Sequence, residues 1–348
     1  MRPSLGYFFD DYSVGQRFEH ATPRTITGGD AALYIALTGA RHAPHCATTV
    51  AQALGHNTSP IDDLLVFHIA FGKTVPDISY NAVANLGYAE VQFLAPVYAG
   101  DTISASTEII GVKQNSNGKT GVVYVRSTAR NQHDDVVLSW VRWVMINRLE
   151  MPNNRASVAI VPHLKSAVDV AQLAIPAFLK PTGLTTKHTG SDKFFNDYAV
   201  GDIINHPAGM TIDETDHTLA TKLYQNTAQV HFDAMHMGKS RFGRRLVYGG
   251  QIISIARALS FEGMENVISI AAINAGSHTN PCFAGDTIYA KTIVLEKHVL
   301  RDDLGALTLR LIGIKNALPA SVDHTSTEPN PSIVLDLNYT VLMPIISA

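Results

Sequence analysis

The chain has 348 residues, 46% hydrophobic and 16% charged, and 27 basic against 30 acidic side chains leave a net charge of −3. That length suggests two domains with ample apolar material for packed cores, and the lack of a basic excess argues against a nucleic-acid partner. Two cysteines, Cys46 and Cys282, make no disulfide framework, the first residues lack the apolar run of a signal peptide, and the uncharged stretch 267–285 carries Asn, His, Ser and Pro, so a cytoplasmic protein with no membrane span or membrane partner is expected.

Self-similarity organises the chain. Phe8 to Gln16 (FFDDYSVGQ) returns as Phe194 to Asp202 (FFNDYAVGD), an offset of 186 with six identities in nine. The same offset relates His20 to His206, Thr25-Ile26 to Thr211-Ile212, Asp30 to Asp216, Leu33 to Leu219 and Leu37 to Leu223. Farther on, Ala95 to Thr102 (APVYAGDT) returns as Asn280 to Thr287 (NPCFAGDT) at an offset of 185. A register kept over such distances means a duplicated domain, with one half in 1–150, a Pro-containing polar connector in 151–190 and the second half in 191–348. The apolar run Val158 to Val161 predicts that the connector packs on one half.

In each half a helical spacing comes first: Ala31, Leu33, Tyr34 and Leu37 in one, Leu219, Leu223 and Tyr224 in the other. Thr27 and Asp213 precede these segments as N-caps, with Asp30 and Asp216 three residues on. Runs rich in β-branched residues follow: TISASTEIIGV, TGVVYVRSTA and VVLSWVRWVMI, then TIYAKTIVLE, ALTLRLIGI and SIVLDLNYTVLM. A helix followed by antiparallel strands, twice, is an α+β design. Several catalytic motifs fail. The Gly-Lys pairs at Gly72 and Gly118 lack the phosphate-loop Gly five residues earlier, where Phe67 and Lys113 stand. His42, His45 and Cys46 are soft ligands, but Pro44 breaks a helical face and no second ligand pair follows at zinc spacing, so no metal is expected.

The second copy reads TIDETDHTLATKLYQNTAQVHFD, RRLVYGG and NPCFAGDT. These motifs resemble the MaoC-like hotdog family, which includes R-specific enoyl-CoA hydratases. Stretches such as DDLLVFHIAFGKTVPDIS, NAVANLGYAE, LYQNTAQVHF and GRRLVYGGQIISIARALSF are similar to the branch of that family acting on mesaconyl-CoA. The resemblance implies a double hotdog, each half an antiparallel sheet wrapped around a central helix. It implies a hydro-lyase that adds water reversibly to mesaconyl-CoA to give β-methylmalyl-CoA. An acyl-CoA is then the partner, no cofactor is needed because CoA enters with the substrate, and a homodimer or higher homo-oligomer is compatible. A hotdog thioesterase and a non-catalytic acyl-CoA binding protein are the alternatives.

Carried over residue by residue, the family's His falls on His231 and its catalytic Asp on Asn226, a departure from the pattern. An amide can hold a water but cannot take its proton, so His231 acts alone or a carboxylate such as Asp233 or Asp216 assists. The bland reading of His231 is a histidine packed at a helix end. Tyr248, Gly249 and Gly250 are expected to open the second central helix, opposite Phe67-His68-Ile69 in the first, with the glycines as an oxyanion hole and Tyr248 touching substrate. In the first copy the offset puts His45 opposite His231 and Ala40 opposite Asn226, which leaves that half without a water-holding side chain. Arg41, His68 and Lys73 are its candidate substrate contacts, and Arg241, Arg244 and Arg245 form a basic cluster suited to a carboxylate or to CoA phosphates. A solvated face explains such charges equally well.

Overall fold

The computed structural model describes residues 6–149, 159–326 and 328–346. The first half runs β1 (Arg17–Thr25), α1 (Gly28–Thr38), α2 (Ala43–Cys46), α3 (Thr48–Ala53), α4 (Asp63–Ile78), β2 (Ala82–Phe93), β3 (Thr102–Gln114), β4 (Thr120–Arg130) and β5 (Val136–Asn147). After a connector holding α5 (Thr186–Thr189), the second half runs β6 (Ile203–Thr211), α6 (Glu214–Leu223), α7 (Gln229–Phe232), α8 (Ala234–Met237), α9 (Gly249–Leu259), β7 (Ser269–Ser277), β8 (Thr287–Arg301), β9 (Leu304–Lys315) and β10 (Ile333–Pro344). All ten strands form one sheet in the order β1-β3-β4-β5-β2-β7-β10-β9-β8-β6. Read from either edge, the order is the same repeat unit, and the long helices α4 and α9 lie against it as the two central helices of a double hotdog.

The two copies meet about a local two-fold axis. At the β2–β7 seam Ala89 pairs with Ala275, residues separated by the repeat offset of 186. Between the central helices His68 Nε2 lies 2.9 Å from Ser254 Oγ, again a residue and its own repeat image. Such self-meeting positions are what a two-fold interface requires, here made within one chain. One apolar core crosses the axis, including Phe67, Ile69 and Phe71 of α4 with Ile252, Ile253 and Ile255 of α9. Both halves also keep a buried histidine on their first strand. His20 joins Asp77 and Thr107, and His206 joins the Glu262 carbonyl and Thr292.

The caps are as the sequence predicts. Thr27 Oγ1 accepts from the Asp30 N–H while the Asp30 carboxylate accepts from the Thr27 N–H, and Asp216 takes the Asp213 N–H. The helix register differs from expectation. Asp62 caps α4 by accepting the Leu64 N–H at 2.9 Å, so α4 starts at Asp63 and α9 at Gly249. The counterpart of Tyr248-Gly249-Gly250 is therefore Asp62-Asp63-Leu64, not Phe67-His68-Ile69, which lies a turn inside the helix. An apolar run hid the acidic start. Ile160 bridges Val112 of the first half, but Leu179 and Leu184 pack against Leu54 and against Ala271 and Leu342 of the second, so the connector is not confined to one half; Val158 lies outside the described residues. No helix among the described residues is long and apolar enough to cross a membrane.

Gly72 of α4 allows a close approach between the halves: a methyl there would stand 1.8 Å from the Tyr224 carbonyl oxygen. Gly72→Ala should cost about 1–3 kcal/mol by overpacking and push aside the turn that leads to Asn226. Urea unfolding checks this; an unchanged midpoint and m-value would contradict the seam as described.

Candidate active site

The loop from α6 to α8 and the loop into α9 are stitched together. The Leu246 N–H donates to the Val230 carbonyl, and the His231 ring returns the favour, with Nδ1 2.9 Å from the Leu246 carbonyl. A carbonyl only accepts, so Nδ1 carries the proton and Nε2 keeps a free lone pair. Among the described residues Nε2 has no hydrogen-bond partner. His231 is half-buried, and enclosure of its ring pushes its pKa down to about 4, opposed by the bond to Leu246 and assisted by His217 and His278. The His217 Nε2 in turn sits 3.0 Å from the His231 carbonyl.

Asn226 is buried, and its Oδ1 accepts the Ala228 N–H at 3.2 Å, closing the turn that leads into α7. The side chain thus shapes the loop carrying His231, with its amide nitrogen left to meet a water. Neither candidate replacement carboxylate is turned to the imidazole. Asp233 accepts the His236 N–H at the start of α8, and Asp216 serves the α6 cap.

Tyr248, Gly249 and Gly250 do open α9, with Tyr248 as N-cap and its ring centroid 5.5 Å from that of His231. The free N–H groups of this helix start offer positive potential to an anion. Packing also demands the glycines. A methyl on Gly249 would lie 2.4 Å from His278 Nε2, and one on Gly250 would lie 2.6 Å from His68 Nδ1. Both imidazoles therefore crowd the helix start. His278 Nε2 is 3.2 Å from the Tyr88 hydroxyl, which the first half delivers across the seam. Sequence reasoning overlooked this pair, although His278 stands where the first copy has Phe93, an asymmetry visible at the offset of 185. His68 is fully buried in mid-helix, bonded to Ser254, with Nδ1 lacking a partner.

The four predicted arginines are engaged by other groups of the chain. Arg41 pairs with Glu262 and rests 4.8 Å over Phe261, beyond the far end of α9, a helix of eleven residues and hence about 15 Å long. Arg245 is held by Glu214 and by Thr218, while Arg241 and Arg244 lie over Phe242 and Phe283. A cleft of about 390 Å³ instead runs beside the Asn226–His231 loop, lined by Thr22, Gly72 and Lys73 of one half and Lys222, Gln225, Thr227 and Phe232 of the other. Lys73 donates to the Thr22 carbonyl, and burial lowers its pKa to about 8.

The equivalent place in the first half keeps the frame and changes the groups around it. His45 Nδ1 lies 3.2 Å from the Pro60 carbonyl, repeating the His231–Leu246 bond at the same offset. Asp63, at the position of Gly249, puts a carboxylate at the start of α4, 3.8 Å from His45 Nε2 and accepting the Ile270 N–H. Burial raises its pKa to about 6. Pro176 and Leu179 of the connector roof this spot, leaving a cavity of about 50 Å³.

A family model described as mesaconyl-CoA hydratase matches residues 3–316. The chain is 52% identical over 343 residues to a β-methylmalyl-CoA dehydratase of Chloroflexus aurantiacus, with 97% of each chain covered. It is 47% identical over 346 residues to a mesaconyl-CoA hydratase of Cereibacter sphaeroides, covering 99% of this chain and all of the other. A solved MaoC-domain protein of C. aurantiacus, described as a dehydratase, superposes over the full length of both chains with a TM-score of 0.95 at 51% identity. A Mycobacterium tuberculosis protein with a double hotdog fold superposes with a TM-score of 0.78 at 24% identity over 98% of this chain and 99% of that one, a likeness of fold.

Burial holds His68 near a pKa of about 3 and His206 and His278 near about 4, besides His231. The unfolded chain binds these protons from about pH 6.5 downward while the fold resists them, so stability falls as pH drops from about 6.5 toward 4. Each fully buried imidazole contributes a slope of up to about 1.4 kcal/mol per pH unit in that window. Urea midpoints measured from pH 7 to 4.5 should fall steadily; a flat profile would contradict neutral, buried imidazoles.

Proposed function

This chain belongs to the mesaconyl-CoA hydratase family, and on that premise we propose that it adds water reversibly to mesaconyl-CoA to give β-methylmalyl-CoA. The observation that carries the mechanism is the His231 Nδ1–Leu246 bond, which leaves Nε2 as a fixed acceptor beside the start of α9. His231 Nε2 takes a proton from a water oriented by the Asn226 amide. The hydroxide adds to the carbon β to the thioester, and the enolate oxygen gathers charge at the Gly249 and Gly250 N–H groups. The imidazolium then returns its proton to the α-carbon, restoring the free base. The thioester itself stabilises the carbanion, so the step draws on no cofactor. Lys73 and Lys222 in the neighbouring cleft suit the phosphates of the CoA moiety.

The first half supplies Tyr88 and the far wall of the site rather than a second centre. Asp63 sets negative charge where an enolate would form, and Ala40 offers nothing to hold a water.

Loss of enoyl-thioester absorbance on incubation with mesaconyl-CoA tests the activity; release of free CoA thiol without that loss would mark a thioesterase instead. His231→Ala should lose about 10²–10⁴ in kcat while still binding substrate, since a positioned general base contributes that much. His45→Ala should change kcat little, and Asn226→Asp, which keeps the Oδ1 that closes the turn, should stay active. Equal losses at His45 and His231, with the circular dichroism intact, would reverse the assignment of the halves. Because the pair of hotdogs is internal, activity per chain should also hold on dilution to the monomer; a second-order decline would contradict it.

A further inference from the structure

We propose that Arg142 receives the free carboxylate of the substrate's acyl group, an assignment that rests on the dicarboxylic thioester reading above. Arg142 lies on the inner face of β5 with no exposed surface. Its guanidinium lies 4.1 Å over the Phe71 ring, Nη2 donates to Thr74 Oγ1 at 2.8 Å, and both terminal nitrogens reach Ser79 Oγ at 3.3 Å. Every one of these partners is neutral, and Nε has none among the described residues. Burial lowers its pKa only to about 10, so it stays charged at neutrality. The carbonyl end of α4, where Thr74 and Ser79 lie, offsets part of that charge. A fully desolvated cation with neutral partners is costly unless an anion completes it.

The surroundings supply further polar groups without partners. Tyr88 sits directly across from Arg142 in the β2–β5 ladder, and its hydroxyl points to His278 at the start of α9. Asn85 lies opposite Val144, two residues along β5 and hence on the same face, and neither polar atom of its amide has a partner. The Tyr248 hydroxyl is likewise buried and unpartnered. The Phe71 ring links these groups, 5.8 Å from Tyr248 and 6.1 Å from Tyr88, centroid to centroid. Arg142 Nε, Asn85 Nδ2 and the Tyr248 hydroxyl are donors without acceptors, and a carboxylate brings two oxygens with no donor of its own. In mesaconyl-CoA the carboxylate is three carbon–carbon bonds from the thioester carbon. On this proposal a thioester held at Gly249 directs its acyl end past Tyr248 toward Phe71 and Arg142. Lys73, by contrast, already donates to the Thr22 carbonyl in the outer cleft.

Isothermal titration with two unreactive thioesters tests the assignment: methylsuccinyl-CoA, which carries the carboxylate, and 2-methylbutyryl-CoA, in which a methyl replaces it. Arg142→Met should weaken methylsuccinyl-CoA by about 10–100-fold, the usual range for a charged hydrogen bond, and 2-methylbutyryl-CoA by less than about threefold. Arg142→Lys, which keeps the charge, should fall between, and Asn85→Ala should weaken the charged ligand alone; these two carry the test if Arg142→Met does not fold. Equal losses for both ligands, or discrimination lost in Lys73→Met and kept in the Arg142 variants, would overturn the proposal. A wild-type protein that discriminates through Arg142 yet leaves mesaconyl-CoA unhydrated would refute the proposed reaction and support this subsite. Hydration with no role for Arg142 in discrimination would do the reverse.

Discussion

The antiparallel pairing of β2 with β7 is the constraint on which the rest depends. Ala89 against Ala275 closes ten strands into one sheet, and the same axis brings His68 to Ser254 between the central helices. Once that axis is set, each half must offer its central helix start to residues of the other. Tyr88 reaches His278 across the seam, and Gly72 touches the Tyr224 carbonyl just before Asn226. A hotdog half by itself would present the imidazole and the helix start without the opposite wall. Duplication places that wall in the same polypeptide.

Having two copies of one frame lets them diverge in chemistry while the scaffold is kept. His45 and His231 make the same bond to a carbonyl fifteen residues on, at Pro60 and Leu246. The side chains around that bond differ. Asn226 becomes Ala40, Gly249 becomes Asp63, and His278 becomes Phe93. Each change removes something a hydration site needs: a water holder, an uncharged approach to the helix N–H groups, and a polar wall. The connector then covers what is left, with Leu173, Ile175, Leu179 and Leu184 packed among Val50, Leu54, Ala271 and Leu342.

Much of this was legible in the sequence, for physical reasons. A repeat that keeps its offset to within one residue from Phe8 to Thr102 can only be a duplicated domain, and Thr27 and Asp213 mark where helices begin. His231 and the glycines of α9 stood out because resemblance and acid–base chemistry select the same residues. Other features required three dimensions. The start of α4 was misplaced because its apolar run continues past the acidic cap that defines it. The arginines near Gly249 in sequence turned out to lie over aromatic rings or beside Glu214, whereas the buried guanidinium near Tyr248 comes from a strand more than a hundred residues earlier. Nothing in a linear pattern separates Arg142 from any other strand arginine; its full burial without a carboxylate partner among the described residues does.

The central claim is that one chain holds one reaction centre, at the start of α9 and not at the start of α4. A crystal structure of His231→Ala bound to mesaconyl-CoA tests it most directly. The account predicts one thioester per chain, its carbonyl oxygen within hydrogen-bond distance of the Gly249 and Gly250 amides and its β-carbon facing the emptied His231 site. A thioester seated against Asp63 and His45, or one in each half, would contradict it.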